Sequence, residues 1–278
     1  MKASIVIPTK DKLSRLRAVL KGLENQITLD IEVIVVFDGC EKFTLNEFDN
    51  LEFSYKPEKV VCDKNVGRAA ARNVGIKRAK GDIIIFIDDD RIPCKDFIKM
   101  HLENHKKGKT VVLGGRIDVE LSESEIEGLY HLKNFEEMFE ALKSEIKDRE
   151  VHKTITVRAT GPLRWMNFFT GNVSIEKTYL EKVGGFDENF KGWGHEDIDL
   201  GIRLAKEGLV FIKNDSIPNY HLLHESNFVD KKEQSQENMK YMLKKYKRDA
   251  LIFLVLSFAY IKHGIAGLSI TAKANTGV

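Results

Sequence analysis

Three adjacent aspartates, Asp88, Asp89 and Asp90, follow the apolar run Ile83–Ile87. Neighbouring carboxylates repel one another, and partial burial at the end of an apolar strand raises the cost of charging them. A divalent cation such as Mg²⁺ or Mn²⁺ relieves that cost, because it prefers oxygen ligands and also binds phosphate oxygens. A single aspartate would suffice to cap a helix before Pro93. The triplet therefore favours a metal site over a simple cap.

A second polar cluster begins a helical pattern. Gly67 precedes Arg68, and Arg72 follows Arg68 one helical turn later, so both arginines are expected on one face. The N-terminus of a helix attracts anions. The pattern predicts a site for a diphosphate, with surface arginines on an amphipathic helix as the alternative.

The segment 192–199 places Trp193 between two glycines, ahead of several acidic residues. Its three carboxylates belong to Glu196, Asp197 and Asp199. An aromatic ring can stack on a sugar, and a carboxylate in a crowded, partly dry place can act as a general base. Farther on, His221 and His224 offer imidazole nitrogens three residues apart, although structural histidines are the commoner case.

The elements that must position these residues alternate short apolar runs with helical patterns, which predicts a parallel α/β sheet. The predicted strands are 4–7, 31–37, 83–87 and a strand ending at 175, and the predicted helices are 13–23, 67–79 and 230–248, with two others starting at 177 and near 196. Ligands of such sheets bind at the carboxyl ends of the strands. Pro8 and Thr9, Asp38 and Gly39, and the aspartate triplet all follow strands. This coincidence indicates one common site.

Bulk properties limit the classes of function. The 278 residues include 44 basic and 42 acidic side chains, for a net charge of +2. This balance gives no support to nucleic-acid binding, which needs a concentrated basic face. Cys40, Cys62 and Cys94 lack metal-ligand spacing and are expected to be thiols in a reducing cytosol. Since no secretory signal pattern precedes the first strand, we expect a cytoplasmic protein.

Two segments are harder to interpret. The charged, helix-prone stretch 122–149 and the following residues 151–157 are interpreted as an insertion or lid within 121–160. The apolar run 250–261 is too short to span a bilayer, which needs roughly twenty residues. We interpret it as a buried C-terminal helix. Attachment to the inner face of a membrane through residues 250–270 is the alternative.

These motifs resemble those of the family-2 glycosyltransferases of GT-A fold. The matching segments of the first half are 4–9, 38–39, 65–73, 81–82 and 87–90. Those of the second half, 170–172, 184–187 and 193–203, resemble β-1,4-galactosyltransferases and polypeptide N-acetylgalactosaminyltransferases. The resemblance covers about residues 3–227. It implies an α/β GT-A catalytic domain over 1–228, with a Rossmann-like, mixed, mainly parallel sheet flanked by helices. Its nucleotide-binding half is 1–115, its acceptor half is 116–228, and a helical extension covers 229–278.

The resemblance also implies a role for each matching residue in binding and transferring a UDP-sugar. The residues implied to bind the nucleotide-sugar are Pro8, Thr9, Asp38 (on the uracil), Asn65, Arg68, Arg72, Asp88, Asp89 and Trp193 (over the sugars). The residues implied to bind Mn²⁺ or Mg²⁺ are Asp90, His224, His221 and Asp88. Asp197 is implied to be the base of an inverting displacement, with Glu196 as the next candidate.

Several points stay open at this stage. His195 stands where the galactosyltransferases carry a second glycine, so the acceptor pocket is expected to be narrower or differently polar. The resemblance implies that the transferred sugar is a hexose or an N-acetylhexosamine and that the acceptor is a glycan, a lipid-linked glycan or a polypeptide. Self-association is not decided. One rival is a non-catalytic sugar-nucleotide-binding or scaffold protein of the same fold. A nucleotidyltransferase is less favoured, because the segment 7–11 lacks the usual glycines.

Overall fold

The computed structural model describes residues 2–106, 108–147, 161–224 and 228–261. Contacts within the chain define two compact units. The first unit comprises Met1–Glu188 and Glu196–Ser226, and the second comprises Asn189–His195 and Asn227–Val278. The predicted catalytic motifs lie in the first unit, except for Trp193 and His195.

An eight-stranded mixed sheet forms the centre of the first unit in the part of the chain that the structure describes. The strands are β1 (Ala3–Thr9), β2 (Ile31–Asp38), β3 (Glu58–Cys62), β4 (Ile83–Ile87), β5 (Arg91–Pro93), β6 (Thr110–Val119), β7 (Asn172–Glu176) and β8 (Val210–Leu222). Their order is β3-β2-β1-β4-β7-β6-β8-β5. β1 is parallel to β2 and β4, β3 to β2, and β8 to β6. The antiparallel strand β7 joins the two parallel groups through β4 and β6. The predicted α/β class is confirmed.

Helices flank this sheet. The helices of the first unit are α1 (Leu13–Leu23), α2 (Lys42–Asp49), α3 (Arg68–Arg78), α4 (Phe97–His105), α5 (Glu123–Tyr130), α6 (Phe135–Lys147), α7 (Lys177–Lys182) and α8 (Glu196–Lys206). Short 3₁₀ turns occupy Glu24–Gln26 and Gly161–Asn167. β1, β2 and β4 are buried almost throughout, because helices cover both faces of a parallel sheet. The continuous apolar runs in their sequences have this cause.

Residues 122–147 differ from the predicted lid. They form α5 and α6, and Ile126, Leu129, Met138 and Leu142 belong to the main hydrophobic core. Ser122 begins α5 with a capping box, in which its hydroxyl accepts the Glu125 amide hydrogen. Burial of the apolar faces of both helices makes this segment part of the domain framework. Residues 151–157, interpreted above as part of the same insertion, lie outside the described residues.

The second unit contains α9 (Phe228–Lys245) and α10 (250–261). The buried amide of Asn238 donates to the carbonyls of Lys191, Trp193 and Gly194, so α9 holds the loop 189–195. α10 differs from the predicted buried helix, because only Ile252 and Leu256 are buried while one apolar stripe is 58–69% exposed. That stripe, called the α10 stripe below, consists of Leu251, Leu254, Phe258 and Ile261. Among the described residues, no helix is long and apolar enough to cross a membrane.

Candidate active site

The aspartate triplet at the end of β4 is held by three separate sets of partners. Asp88 lies 3.0 Å from Arg72 and 3.4 Å from Arg91. Asp89 accepts the Thr9 hydroxyl at 2.8 Å. Asp90 faces two histidines and a lysine, described below. Cations and hydrogen-bond donors, near in sequence as Arg91 or distant as Thr9, therefore offset part of the repulsion expected between adjacent carboxylates. Burial and the two neighbouring aspartates still raise the pKa of Asp89 to about 6, against the effects of Lys12 and Thr9.

Asp90, His221 and His224 form a group that could hold a metal ion, with one potential ligand atom of each within 4.8 Å of the others. His224 Nε2 lies 3.2 Å and His221 Nε2 3.9 Å from the Asp90 carboxylate. Burial would raise the pKa of Asp90, but the contacts with His224 and the charge of Lys12 hold it below its ordinary value. β5 and β8 pair antiparallel and bring Asp90 beside both histidines. Asp88, predicted as a further ligand, points away toward the two arginines.

Asp118 orients His221 within this group. His221 Nδ1 lies 2.9 Å from Asp118 Oδ1, and a carboxylate can only accept, so this contact leaves Nε2 with a lone pair facing Asp90. Such a carboxylate partner is the usual support of a metal-ligating histidine. Arg116 also lies 2.9 Å from Nδ1 and requires the opposite tautomer; the contact with Asp118 is the one compatible with metal ligation. One carboxylate and two imidazoles fit a first-row divalent cation such as Mn²⁺.

Arg72 lies deeper than the sequence predicted. Its side chain is 3% exposed and contacts Asp88 at 3.0 Å and Glu196 at 3.2 Å, with Asp197 at 3.9 Å. Burial would lower its pKa, but Asp88, Asp197 and Glu196 raise it, so the guanidinium stays charged. Arg72 is committed to carboxylates of its own chain, which differs from the predicted contact with a nucleotide. Arg68, at the start of α3, is exposed.

Asp197 begins α8 and is held by Thr170. Its carboxylate accepts the Thr170 hydroxyl at 2.8 Å and the Thr170 amide at 3.2 Å. Burial and the neighbouring Glu196 raise the pKa of Asp197 to about 7, against the opposing effects of Arg72 and Thr170. A carboxylate with this pKa is suited to general-base catalysis near neutral pH. Glu196 is buried against Arg72, so it is already engaged in an ion pair.

Asp38 joins the end of β2 to the loop before α3. Its carboxylate accepts the amide hydrogens of Val66 at 2.6 Å and Gly67 at 3.1 Å. Gly39 lies so close to this loop, with φ +65°, that a Cβ would collide with the backbone of Asn65. Two of the predicted nucleotide-binding positions, Asp38 and Asn65, are therefore brought together; Pro8 and Thr9 end the adjacent strand β1.

The loop with Trp193 belongs to the second unit. The Trp193 amide donates to Gln234 at 2.8 Å, and the Lys231 ammonium lies 5.9 Å from the ring centroid. His195 has φ +74°, in the left-handed region that favours glycine. That conformation gives a physical reason for a glycine at the corresponding position of the galactosyltransferases. The role of Trp193 toward sugars stays a prediction.

Sequence reasoning missed Lys12 and Asp118, and it noticed Thr170 only as part of the motif 170–172. No local signal revealed the contacts of Asp118 with His221 and of Thr170 with Asp197, because these partners lie 103 and 27 residues away. Lys12 had one: it occupies the N-cap of α1, where small polar or acidic residues are favoured and a positive charge opposes the helix dipole. Gly171 was noticed only as part of a motif. A Cβ there would collide with the Arg91 guanidinium.

Comparisons with known proteins identify the family. The glycosyl transferase family 2 model matches residues 4–168, and the model described as N-terminal domain of galactosyltransferase matches residues 152–226. The chain is 28% identical to the uncharacterized glycosyltransferase YfnE of Bacillus subtilis over 93% of this chain and 74% of that protein. It is 31% identical to chondroitin synthase of Escherichia coli over 78% of this chain, spanning only 34% of the synthase.

Solved structures extend the likeness to the whole fold. Staphylococcus aureus TarS 1–349 in complex with UDP-GlcNAc superposes with a TM-score of 0.66 at 17% identity, covering 94% of this chain and 73% of that one. The similar structures are GT-A glycosyltransferases, which confirms the predicted fold. The match over residues 4–168 includes β1, α3 and the aspartate triplet. This chain belongs to glycosyl transferase family 2 and is a glycosyltransferase of GT-A fold.

Proposed function

We propose that this glycosyltransferase moves a hexose or an N-acetylhexosamine from a UDP-sugar to a hydroxyl group, with inversion, and that it depends on a divalent cation. One observation carries the proposal. Arg72 links the end of β4, where Asp90 and the two histidines converge, to the start of α8, where Asp197 has a pKa of about 7. A single buried side chain thus connects the proposed cation site with the proposed base.

Asp197 is the proposed base. Its ionised carboxylate removes the proton of the acceptor hydroxyl while the oxygen attacks the anomeric carbon from the face opposite the departing UDP. Thr170 fixes both carboxylate oxygens, and Arg72 supplies positive charge at 3.9 Å. Inversion follows from a single displacement.

The group Asp90, His221 and His224 would hold the cation. Mn²⁺ or Mg²⁺ bound there supplies a Lewis acid for the negative charge that develops on the leaving diphosphate. His221 lies in β8, His224 follows two residues after its end, and Asp90 follows β4, so the pairing of β5 with β8 brings the three residues to one edge of the sheet.

The nucleotide is proposed to be UDP. Asp38 would accept a hydrogen bond from the uracil imide. A carboxylate can accept about four hydrogen bonds, and the amides of Val66 and Gly67 account for two, so Asp38 can accept another. Pro8, Thr9 and Asn65 surround the same region, and the exposed Arg68 replaces Arg72 as the arginine facing the diphosphate. The UDP-GlcNAc complex of the similar TarS structure supports uracil as the nucleobase of the donor.

The acceptor is proposed to be a glycan, lipid-linked or free, because E. coli chondroitin synthase is a relative over 78% of this chain. A lipid-linked acceptor would agree with the exposed α10 stripe, which suits a membrane surface. We propose that the protein works in the cytoplasm at the inner face of a membrane.

A donor screen with Asp197→Asn tests the proposed function. We expect Mn²⁺-dependent UDP release from a UDP-sugar, increased by a hydroxyl acceptor. The variant preserves size and hydrogen bonding, so it should bind UDP normally while turnover falls about a hundred-fold to ten-thousand-fold, the usual worth of a positioned base. Calorimetry measures the affinity for UDP, and the rate of UDP release measures turnover. Near-normal turnover would transfer the base role to Glu196, and equal affinity for GDP would contradict the uridine assignment.

His224→Ala tests the cation site separately. Removal of one imidazole ligand should weaken Mn²⁺ binding and, through it, UDP-sugar binding, because a cation that bridges protein and diphosphate couples the two. The exposed His131 offers a matched control as His131→Ala. Unchanged Mn²⁺ dependence in His224→Ala would make that histidine structural and leave His221 as the imidazole ligand.

A further inference from the structure

Lys12 occupies an unexpected place at the cation site. Its ammonium lies 3.1 Å from Asp90 Oδ2, 3.2 Å from His224 Nε2 and 3.6 Å from Asp89 Oδ1. Lys12 is the N-cap residue of α1, yet its side chain makes no capping hydrogen bond and reaches across to the end of β4. A positive charge at a helix N-terminus is locally unfavourable. Such a break of a local rule is typical of functional positions.

The ammonium contacts two of the three residues that form the candidate cation group. A divalent ion bound by Asp90 and His224 would use the atoms that the Lys12 ammonium contacts, and Coulomb repulsion between like charges is strong in a partly buried site. The contact of His224 Nε2 with Lys12 and the binding of a cation both require the tautomer with a lone pair on Nε2, whereas the contact with Asp90 requires the other one. That single lone pair cannot serve the ammonium and an ion together. Lys12 and a divalent cation therefore compete for the same atoms.

Anions are favoured beside Lys12 for independent reasons. The exposed Arg68 begins α3, and its charge is close enough to act on the Lys12 ammonium. Lys12 begins α1, and helix N-termini favour phosphate groups. A lysine on a flexible four-carbon stem can move between a carboxylate and a phosphate without moving the backbone.

We propose that Lys12 couples cation binding to nucleotide binding, by holding Asp90 and His224 until a divalent ion displaces it and then binding the diphosphate. The proposal rests on the proposed function, since it takes the cation and the UDP-sugar from there. It makes Lys12 a positioning residue with a thermodynamic signature: the ion alone binds weakly, and the ion and UDP strengthen each other. Such a coupling is reciprocal.

Lys12→Met tests this coupling, because methionine keeps most of the length and removes the charge. Calorimetry on the full chain measures Mn²⁺ alone, UDP alone and Mn²⁺ in saturating UDP. We expect Lys12→Met to bind Mn²⁺ alone about ten-fold more tightly than the wild type, since the carboxylates lose their internal counter-ion. The factor by which UDP strengthens Mn²⁺ binding should fall at least about five-fold.

Two further variants distinguish the mechanism from general charge or folding effects. Lys10→Met removes the same charge from an exposed neighbour and should leave Mn²⁺ affinity and coupling unchanged. Lys12→Arg retains the charge and should bind Mn²⁺ alone as weakly as the wild type. If Lys12→Met does not fold, Lys12→Gln is measured as the neutral variant in its place.

The outcomes separate this proposal from the proposed function. Equal Mn²⁺ affinity and equal coupling in wild type and Lys12→Met overturn the role of Lys12 and leave the cation site intact. Weaker Mn²⁺ binding in Lys12→Met also overturns it, since that result makes Lys12 a support of the site. Absence of Mn²⁺ binding by the wild type, with and without UDP, overturns the cation site and the coupling together.

Discussion

At the scale of single residues, Arg72 is the side chain on which the site depends. It is buried and contacts carboxylates from two different elements, Asp88 after β4 and Glu196 in α8. Against the effect of burial, the charge of Arg72 helps to hold the pKa of Asp88 below its ordinary value, and its contacts fix the direction of both carboxylates. Arg72 therefore organises acidic side chains of its own chain, unlike the exposed Arg68 of the same motif.

Thr170→Val should shift the pH dependence of turnover. The Thr170 hydroxyl donates to Asp197 at 2.8 Å and favours the charged carboxylate, so its loss raises the pKa of Asp197 further above the present value of about 7. Asp197 acts as a base only when ionised, so turnover falls as pH drops through this pKa. The rising limb of the pH–rate profile should move about one unit to higher pH.

The control for this shift is Thr178→Val, an exposed threonine in α7. Activity of Thr170→Val should recover at high pH, because the base itself is intact. If turnover fell equally at every pH and the rising limb of the pH–rate profile did not move, the assignment of that limb to Asp197 would be contradicted.

At the scale of elements, α10 departs most from its predicted environment. Asp249 caps its N-terminus by accepting the Ile252 amide hydrogen at 3.1 Å, and the twelve residues 250–261 contain no charged side chain. Four exposed basic residues precede this cap: Lys244, Lys245, Lys247 and Arg248. An apolar stripe beside a basic cluster is typical of a helix that lies on an anionic lipid surface.

Replacing Leu254 and Phe258 together by Ser should abolish most binding to anionic vesicles. Both side chains are largely exposed, so the fold should tolerate the change. The variant lacks two of the four apolar side chains of the α10 stripe that would contact a membrane. We expect affinity for phosphatidylglycerol vesicles to fall about ten-fold or more in a flotation assay.

Leu29→Ser, which changes another exposed leucine, is the matched control and should bind vesicles normally. Equal vesicle binding by the double variant and the wild type would contradict a lipid role for the stripe. A change from dimer to monomer without a change in vesicle binding would assign the stripe to self-association.

At the scale of the whole molecule, a buried histidine pair joins α4 to the sheet. His101 contacts Ser174 at 2.8 Å and Asn172 at 2.9 Å, while His105 contacts Ser174 at 2.7 Å and Thr110 at 3.1 Å. Burial lowers the pKa of His101 to about 3 and that of His105 to about 4. Both rings are therefore neutral in the folded protein at neutral pH.

This pair predicts loss of stability in mild acid. Below the ordinary histidine pKa of about 6.5, the unfolded chain binds protons that the folded protein excludes. Stability therefore falls with pH down to about pH 4 for the contribution of His105 and about pH 3 for that of His101. At pH 5 the loss is up to about 2 kcal/mol per histidine. Urea unfolding of His105→Gln should show a smaller decrease between pH 7 and 5 than the wild type, with the exposed His131→Gln unchanged. A pH-independent midpoint in the wild type would contradict the buried neutral state.

The sequence alone determined the elements with strong periodicity and the point where their polar ends meet. The leucines of α1, the apolar runs of β1, β2 and β4, and the aspartates after β4 are local patterns, because strand and helix periods are set by the backbone. The family resemblance added the roles assigned to Asp90, His224 and Asp197. The structure brings the first two together and places Asp197 beside Thr170 and Arg72, while the roles themselves remain to be measured.

Only the tertiary structure decided which way the polar side chains face. Arg72 meets Glu196 across 124 residues of sequence, and Lys12 meets His224 across 212. The exposure of α10 and the burial of α5 and α6 could not be predicted from the sequence either. An apolar stripe has the same sequence pattern whether protein, lipid or water covers it. Side-chain direction at a site depends on the charges that the fold assembles around it, and local sequence does not contain those charges.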